Sequence, residues 1–277
     1  MQDSVFGYIL YGFITGFSEF MPVSTLAHQY LFSYFSGFHS DTAFIKLMVY
    51  IGCLAAVILS CGKRMIHIRR ELKVASMPKT KRKRPPDMVA VLEFRLVLIG
   101  CIPIVLGLAL SQLCWNSCAN LVVISVMLIL SGIASYIPQF FPGGNKDSRQ
   151  MAPKDGMLLG LMAALSVIPG ISRLGSILCT GRLRGNNRVY LMELSFLYCA
   201  AMIIGWILLQ IILILIAGVT INGLVLLFGF LAAAAAFGGG VAGIYLMRFL
   251  AVNLGFSAYS YYCWGLAVFC FTYYLIT

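Results

Sequence analysis

Six stretches of the sequence are apolar over about 20 residues each, and this feature restricts the fold more than any other. About 20 apolar residues form a helix that crosses the roughly 30 Å of hydrocarbon in a bilayer. Of the 277 residues, 61% are hydrophobic and 10% are charged, whereas soluble domains have about 45–50% and about 25%. We therefore predict an all-α, multi-pass integral membrane protein. The predicted spans lie at about 42–61, 94–113, 120–141, 190–217, 221–248 and 256–276.

The positive charge is concentrated in one loop. The formal net charge is +11, and ten of the 20 Lys and Arg residues lie between Lys63 and Arg84. A basic loop between two apolar spans is typical of the cytoplasmic side, so the loop at about 63–93 is expected to face the cytoplasm and anionic lipid rather than nucleic acid. The turn at 114–119 is then outside. The stretch Met1–Tyr8 has no Lys or Arg and no cleavage site after it, so no cleaved signal peptide is expected.

The nine cysteines show no metal-ligand spacing. Most of them lie in apolar runs, where Cys acts as a small hydrophobic residue. Cys114 and Cys118 instead flank the predicted outer turn, where a disulfide can form. The alternative is two unpaired thiols one helical turn apart.

Two further hydrophobic regions, at about 5–30 and 156–186, are interrupted by Pro, Gly and hydroxyl residues. Basic residues precede and follow the second region, which predicts that it enters and leaves the membrane on the cytoplasmic side as a re-entrant loop. A broken backbone at membrane depth is tolerated only where protein or a water-filled cavity covers its N–H and C=O groups. Both regions therefore predict an internal site.

The two interrupted regions resemble each other. Residues Gly12, Ser18 and Ser24 recur 148 positions later as Gly160, Ser166 and Ser172. Three predicted spans separate the regions and three follow the second, and an odd number of crossings inverts the second half relative to the first. We predict a single membrane domain, 1–277, built as an inverted-topology repeat with half-repeats at about 1–141 and 156–277.

A few ionisable residues fall within the apolar regions: Glu19, His28, Arg173 and Glu193, with Lys46 nearer a membrane end. A charged side chain at the bilayer centre costs about 2.5–3.5 kcal/mol, so each needs a reason. Arg173 follows a Pro-Gly break with serines that can cap a helix, Ser172 among them, and the start of such a helix is suited to phosphate. Its alternative is a structural ion pair with Glu19 or Glu193. Glu193 is explained equally well by a structural partner and by ligand contact. Lys46 is explained by snorkelling, in which its charged end reaches the membrane surface.

Hydroxyl residues stand close to His28 in the first region. Ser24 and Thr25 follow the break at Pro22 as possible helix caps. If a helix resumes there, the i, i+4 spacing places Ser24 and His28 on one face. A hydroxyl within reach of an imidazole is the minimal pair for nucleophilic or acid–base chemistry, although such pairs are also common by accident.

These segments resemble a known family. The stretch G-F-S-E-F-M-P-V-S-T-L-A-H, from Gly16 to His28, resembles the E-G-x-T-E-F-L-P-[IV]-S-S-T-G-H segment of the undecaprenyl-diphosphate phosphatase family, also called bacitracin-resistance proteins. P-G-I-S-R-L-G-S resembles its P-G-x-S-R-S-G-[AS]-T segment, and E-L-S-F-L from Glu193 is similar to its E-F-S-F-L. The resemblance covers essentially the whole chain. It implies six spans and two re-entrant loops in a bacterial inner membrane.

The resemblance also implies an activity, namely release of the terminal phosphate from undecaprenyl diphosphate with a divalent metal, which regenerates the lipid carrier for cell-wall synthesis. By matching position, the implied catalytic residues are Glu19, Thr25, His28 and Arg173. The residues expected to bind the substrate are Ser24, Ser172, Arg173, Gly175 and Ser176. A Mg²⁺ or Ca²⁺ ion is expected to rely on Glu19 and on the oxygens of the substrate.

The chain departs from the family pattern at several positions. The first motif glutamate is Thr15 here, the second serine, a proposed nucleophile, is Thr25, and Leu174 and Ile177 replace a serine and a threonine of the second motif. Threonine can supply a hydroxyl but cannot replace a carboxylate as a charged ligand for a hard cation. A lipid-phosphate transporter or flippase on the same scaffold, with weak or no catalysis, is therefore the alternative function. The sequence does not indicate an oligomeric state.

Overall fold

The computed structural model describes residues 4–38, 42–141, 144–218, 222–253 and 256–276. In these ranges the chain forms α-helices and short 3₁₀ turns and no β-strand, so the prediction of an all-α fold is confirmed. Residues 1–3 and 277, at the outer ends of the two predicted half-repeats, lie outside the described ranges. The α-helices are α1 (Val5–Glu19), α2 (Thr25–Ser36), α3 (Ala43–Ser76), α4 (Met88–Cys118), α5 (Leu121–Tyr136), α6 (Pro153–Ala164), α7 (Arg173–Leu183), α8 (Arg188–Ala217), α9 (Gly223–Asn253) and α10 (Ala258–Ile276).

Five helices in the described ranges are long and apolar enough to cross a membrane: α3, α4, α5 with the 3₁₀ turn after it, α8 and α9. They correspond to five of the six predicted spans, and the protein is a multi-pass membrane protein. The predicted span at 256–276 corresponds to α10, which has 19 residues and is not among the five. Its tyrosines lower its mean hydropathy, although it contains no charged residue.

The two interrupted regions form pairs of short helices. α1 and α2 have 15 and 12 residues, and α6 and α7 have 12 and 11. Each is shorter than the roughly 20 residues that a membrane crossing requires. Ser24 caps α2 by accepting a hydrogen bond from the N–H of Ala27, and Ser172 caps α7 by accepting one from the N–H of Gly175. The prediction of helix caps at these two serines is confirmed.

The weak sequence repeat has a structural counterpart. The first residues of α2 and α7, Thr25 and Arg173, are separated by the same 148 positions as their capping serines. The preceding serines also make equivalent bonds: the hydroxyl of Ser18 donates to the carbonyl of Thr15, and that of Ser166 donates to the carbonyl of Ala163. The two breaks therefore share a capping serine and the hydroxyl bond that precedes it.

Helix packing follows the same correspondence. α1 packs against α9, and its counterpart α6 packs against α4. Likewise α3 contacts α9 while α8 contacts α4, and the pairs α3–α8 and α5–α10 join corresponding helices of the two halves. Each half thus supplies helices that enclose the short helices of the other, and the broken segments lie inside the bundle.

A buried carboxylate near the end of α3 holds the basic loop in place. α3 continues beyond the predicted end of its span, because Lys and Arg are good helix formers once the chain has left the hydrocarbon. There the buried Glu71 accepts hydrogen bonds from the guanidinium of Arg84 and from the N–H of Asp87. The imidazole of His67 is bonded to the Asp87 carboxyl and lowers the pKa of that carboxyl. The loop therefore folds back onto α3.

The described cysteines are all free thiols. Cys114 and Cys118 lie one turn apart near the end of α4, so the structure favours the unpaired alternative over the disulfide.

Glycines allow the short helices to approach their neighbours closely. A Cβ atom at Gly12 or Gly16 of α1 would overlap the backbone of α9 at Ala232 or Ala236. In the other half, a Cβ atom at Gly160 of α6 would overlap the backbone of α4 at Gly100. Helices in lipid lack the hydrophobic driving force that brings helices together in water. Small residues at such crossings allow close backbone packing, which holds the helices together instead.

We predict that Gly16→Ala lowers stability by about 1–3 kcal/mol, because the added methyl group forces α1 away from α9. The matched control is Gly62→Ala in α3, where no atom lies within 4 Å of the added Cβ and alanine is the better helix former. Thermal unfolding in one detergent compares both variants with the wild type. Equal melting temperatures for Gly16→Ala and Gly62→Ala would contradict the prediction.

Candidate functional site at the junction of the two helix breaks

The two breaks meet and satisfy each other's polar groups. The backbone N–H of Gly170 donates to the Ser24 hydroxyl across 2.9 Å, which joins the loop before α7 to the start of α2. On α5, the Ser131 hydroxyl accepts from the N–H of Ser172 at 2.8 Å and donates to the carbonyl of Gly170 at 2.7 Å. Because these groups are buried, their bonds remove the cost of leaving backbone polar atoms unpaired at membrane depth.

A buried ion pair joins the same two segments. Glu19 ends α1 and Arg173 begins α7, and they are 2% and 7% exposed. The guanidinium of Arg173 donates through Nη1 to Glu19 Oε1 and through Nε to the Ser166 hydroxyl. The other carboxylate oxygen, Glu19 Oε2, is buried without a hydrogen-bond partner among the described residues. The predicted ion pair of Arg173 therefore forms with Glu19, and one acceptor atom is left for a further group.

One cavity contains this pair, and a second cavity adjoins the first. A small cavity of about 10 Å³ is lined by Glu19, Thr25 and Arg173 together with Leu26, Tyr50, Ser166 and Ile171. A second cavity, of about 190 Å³, shares Leu26 and Tyr50 with the first. Its polar and aromatic lining comprises Gln29, Lys46, Ser111, Gln112, Trp115, Trp206 and Gln210. Trp115 lies by the turn expected outside, so a polar route approaches Arg173 from that side.

His28 has a different environment from the other three expected catalytic residues. Its Nδ1 contacts the carbonyl oxygen of Ser24 at 2.7 Å, and its Nε2 contacts the Tyr262 hydroxyl at 2.7 Å. The predicted pairing of the Ser24 hydroxyl with the imidazole is therefore not formed, because that hydroxyl caps α2 and binds Gly170 instead. A carbonyl only accepts, so Nδ1 carries the proton and Nε2 accepts from Tyr262.

His28 and Tyr262 line an apolar cavity on the other side of the α1–α2 junction. The cavity measures about 550 Å³, and its remaining walls are Phe13, Ile14, Phe17, Ser18, Met21, Val23, Leu250, Ala258 and Tyr259. Its size and its few polar groups are those of a site for an apolar ligand with one polar end. Glu19, Thr25 and Arg173 thus come together in the small cavity, whereas His28 faces the apolar one.

The position of the missing motif glutamate is filled by a neutral pair. Thr15 is fully buried in α1, and its hydroxyl accepts a hydrogen bond from the side-chain amide of Gln29 at 3.3 Å. Gln29 also lines the polar cavity. Uncharged donors and acceptors therefore stand where the resemblance implies a second carboxylate.

The residues expected to bind the substrate lie together at the start of α7, but their backbone N–H groups already donate hydrogen bonds within the protein. The N–H of Gly175 donates to the Ser172 hydroxyl, and the N–H of Ser176 donates to the Ser172 carbonyl. An anion at this helix start would therefore be held mainly by the Arg173 side chain. Away from the junction, Glu193 is paired with Arg248, which confirms the structural interpretation of Glu193. Lys46 lines the polar cavity, over the Trp115 ring.

The side chains of the site can be compared with the ligands that a divalent metal ion requires. No group of three or more His, Cys, Asp or Glu side chains gathers within the part of the chain that the structure describes. The orphaned Glu19 Oε2 is the one anionic oxygen of the small cavity without a partner. Mg²⁺ is commonly held by one or two carboxylates together with substrate phosphates. The residues fit a metal that takes one oxygen from Glu19 and the rest from the substrate.

Several residues of the site were not predicted from the sequence. Ser131, Gln29, Tyr50 and Tyr262 lie on four different helices and reach the junction only through tertiary packing. Serine in α5 and tyrosine in α10 carry no motif that distinguishes them from other hydroxyl residues of the membrane helices. Gln29 follows His28 directly. The sequence feature that could have identified it as a site residue is a polar amide within an apolar helix.

Comparison with known proteins places the chain among one group of relatives. The family model described as "Bacitracin resistance protein BacA" matches residues 8–269. An undecaprenyl-diphosphatase 2 of Halalkalibacterium halodurans is 30% identical, over 98% of this chain and 96% of the relative. An undecaprenyl-diphosphatase of Thermosipho melanesiensis is 26% identical, over 95% and 97%. One from Nocardioides sp. is 29% identical, over 71% of each chain.

We predict that Arg173→Gln destabilises the protein by about 3–5 kcal/mol, because it leaves the buried Glu19 carboxylate without its counter-ion. The matched control is Arg248→Gln, whose partner Glu193 has a side chain that is 20% exposed and can be hydrated. The measurement is unfolding in a single detergent. The double variant Glu19→Gln with Arg173→Gln should recover part of the loss, and a loss at Arg173 no larger than at Arg248 would refute the prediction.

Proposed function

The chain belongs to the bacitracin resistance protein BacA family, and we propose that it hydrolyses undecaprenyl diphosphate to undecaprenyl phosphate and inorganic phosphate. The observation that carries this function is the buried Glu19–Arg173 pair beside Thr25, at the inner end of a polar cavity. A guanidinium, a hydroxyl and a carboxylate oxygen without a partner then face one space. This is the set of groups that phosphate binding, nucleophilic attack and proton transfer require.

Arg173 would bind the terminal phosphate. Its guanidinium offers parallel N–H donors that match two phosphate oxygens, and burial strengthens these bonds because water does not compete. The Glu19 carboxylate keeps the charge of Arg173 balanced before the substrate arrives and fixes the orientation of the guanidinium. The phosphate would enter through the polar cavity, past Leu26 and Tyr50.

The Thr25 hydroxyl, or a water in its place, would attack the terminal phosphorus. The bond from that phosphorus to the bridging oxygen breaks, and undecaprenyl phosphate leaves. Attack by Thr25 gives a phosphothreonine, which water then hydrolyses to inorganic phosphate, whereas attack by water gives inorganic phosphate directly. In the absence of a metal ion, Glu19 Oε2 would take the proton of the nucleophile, since it lines the same small cavity. His28 Nε2, an acceptor that is already bonded to Tyr262, would carry protons on the lipid side of the site.

The polyprenyl chain would occupy the apolar cavity. This cavity adjoins the α1–α2 junction, and its polar members include His28 and Tyr262, which are hydrogen-bonded to each other. Phe13 and Tyr262 are partly exposed on the outer surface of the helix bundle, so the cavity wall reaches the lipid. A chain held there would reach the site from the membrane while the diphosphate meets the polar route.

The membrane topology that accompanies this function has six spans and two re-entrant loops in inverted halves. α10 would be the sixth span, since it pairs with α5 and carries no charge. α1–α2 and α6–α7 would be the re-entrant loops, since each helix is too short to cross and the second helix of each pair is capped by an equivalent serine. We also propose that the chain forms a single membrane domain with half-repeats at about 1–141 and 156–277, and that it lies in the bacterial inner membrane.

A Mg²⁺ or Ca²⁺ ion would be held by Glu19 Oε2 and the oxygens of the diphosphate. Such an ion neutralises phosphate charge and polarises the phosphoryl oxygens. The neutral Thr15–Gln29 pair gives no further anionic ligand, so the metal would be weakly held in the absence of substrate.

We predict phosphate release from undecaprenyl or farnesyl diphosphate by the purified full chain. Thr25→Ser should keep activity because it retains the hydroxyl, whereas Thr25→Val, of nearly equal shape, should lose at least about 100-fold. Ser24 rather than Thr25 caps α2, so neither change removes the cap. Arg173→Lys should lose a similar factor because it lacks the planar fork. No release by the wild type, with lipid phosphate still bound, would refute hydrolysis and favour a lipid-phosphate transporter.

Thr15→Glu tests the metal proposal. A second carboxylate beside Glu19 should make phosphate release depend more steeply on Mg²⁺ or Ca²⁺, because hard cations are held best by carboxylate oxygens. Thr15→Gln has the same length without the charge and serves as the control. Phosphate release is measured against metal concentration for both variants, and an identical metal response would contradict the proposal.

A further inference from the structure

A groove lies between α3, α4 and α8 on the outer surface of the helix bundle. It has a volume of about 450 Å³, which is within the range of ligand-binding pockets. It shares no lining residue with the cavities around Arg173 and His28. Phe94 and Ile204 on its wall are 41% and 46% exposed, so the groove opens outward from the bundle.

Small residues of α8 keep the groove open. α8 packs against both α3 and α4, and Ala200 and Ala201 form part of the wall between the larger side chains of Leu197 and Ile204. The facing walls are apolar as well, with Ile68 and Leu72 from α3 and Val97 from α4. The space is therefore suited to an unbranched apolar chain that lies along α8.

One charged residue, Arg69 of α3, lines the groove. Arg69 is exposed and forms no ion pair or hydrogen bond with any residue that the structure describes. The three helices around the groove contain one carboxylate each, and each carboxylate is paired with another arginine: Glu71 with Arg84, Glu93 with Arg64 and Glu193 with Arg248. These helices therefore provide no counter-ion for Arg69.

Arg69 lies where α3 leaves the membrane on the side expected to be cytoplasmic. The predicted span of α3 ends at about residue 61, and the helix continues into the basic loop. Lys73 follows Arg69 by one turn on the same face and adds a second positive charge. On α8 the groove reaches Ile204, well within the apolar span. A cationic end at the membrane surface and an apolar end at membrane depth match the two parts of a phospholipid.

We propose that this groove binds an anionic phospholipid of the cytoplasmic leaflet, with its phosphate on Arg69 and one acyl chain along α8. A guanidinium matches phosphate oxygens through paired N–H donors, and basic residues next to a membrane helix attract anionic lipids. The headgroup of phosphatidylcholine has no net charge and binds less well. The site is separate from the phosphate site at Arg173, and the binding does not rest on the proposed phosphatase activity.

The test uses the full chain in detergent with an equal mixture of phosphatidylglycerol and phosphatidylcholine that have the same acyl chains. Native mass spectrometry measures the ratio of the two retained lipids. The wild type should retain phosphatidylglycerol in excess. Arg69→Gln should lower this ratio by about fivefold, which corresponds to the roughly 1 kcal/mol of one basic residue at a membrane surface. Arg69→Lys retains the charge and should keep most of the preference.

Arg70→Gln is the matched control. Arg70 is the next residue of α3 and is also exposed, but it does not line the groove. Its variant should retain the two lipids in the same ratio as the wild type. If Arg70→Gln lowers the ratio as much as Arg69→Gln, the preference comes from the surface charge in general and the proposed site is refuted. Equal ratios for the wild type and Arg69→Gln also refute it.

A second measurement tests the place of the acyl chain. Ala201→Phe fills the groove and leaves Arg69 unchanged, so it should lower the amount of retained phosphatidylglycerol by a similar factor. Ala234→Phe is the control, because Ala234 is an exposed alanine of α9 outside the groove. Equal retention by the two phenylalanine variants refutes the binding of a chain in the groove. If Ala201→Phe does not fold, the variants of the exposed Arg69 and Arg70 decide the proposal.

Discussion

The structure depends on how two broken helices satisfy their polar groups inside a membrane. Each break leaves N–H and C=O groups without helical partners, and lipid supplies none. The Ser24 hydroxyl meets the N–H of Gly170, and Ser131 meets both sides of the second break. The Glu19–Arg173 pair adds opposite charges from the two segments. Because each break completes the other, neither half of the chain forms this site alone.

That dependence explains the arrangement of the surrounding helices. α1 reaches the centre by packing closely on α9 through Gly12 and Gly16, and α6 does so on α4 through Gly160. At these glycines the short helices pack backbone to backbone against their neighbours. The interior beside them then has room for cavities, and one chain carries a polar cavity and an apolar cavity on two sides of the α1–α2 junction. The scaffold thereby separates a polar space from an apolar one.

The two halves have kept the scaffold and changed its surfaces. Their capping serines, the bonds that precede the breaks and the helix pairings correspond. At the ends of α2 and α7 they differ, with aromatic packing around Tyr34 in one and arginines around a cavity at Arg182 in the other. Backbone geometry is constrained by buried polar groups, whereas residues at the periphery are free to take up new contacts. The two ends of the molecule can thereby present different chemistry.

The sequence by itself determined the all-α membrane class, five of the spans, the two breaks and the serines that cap the helices after them. These follow from local chemistry, since apolar length, proline and capping hydroxyls act within a few residues of their own position. Only the tertiary structure decided that Arg173 pairs with Glu19, that Thr15 is joined to Gln29, and that His28 faces Tyr262 rather than the Ser24 hydroxyl. His28 and Tyr262 are 234 positions apart, and their contact depends on how α2 and α10 pack. A spacing rule places side chains on a helix face, but the neighbouring helices determine what that face meets.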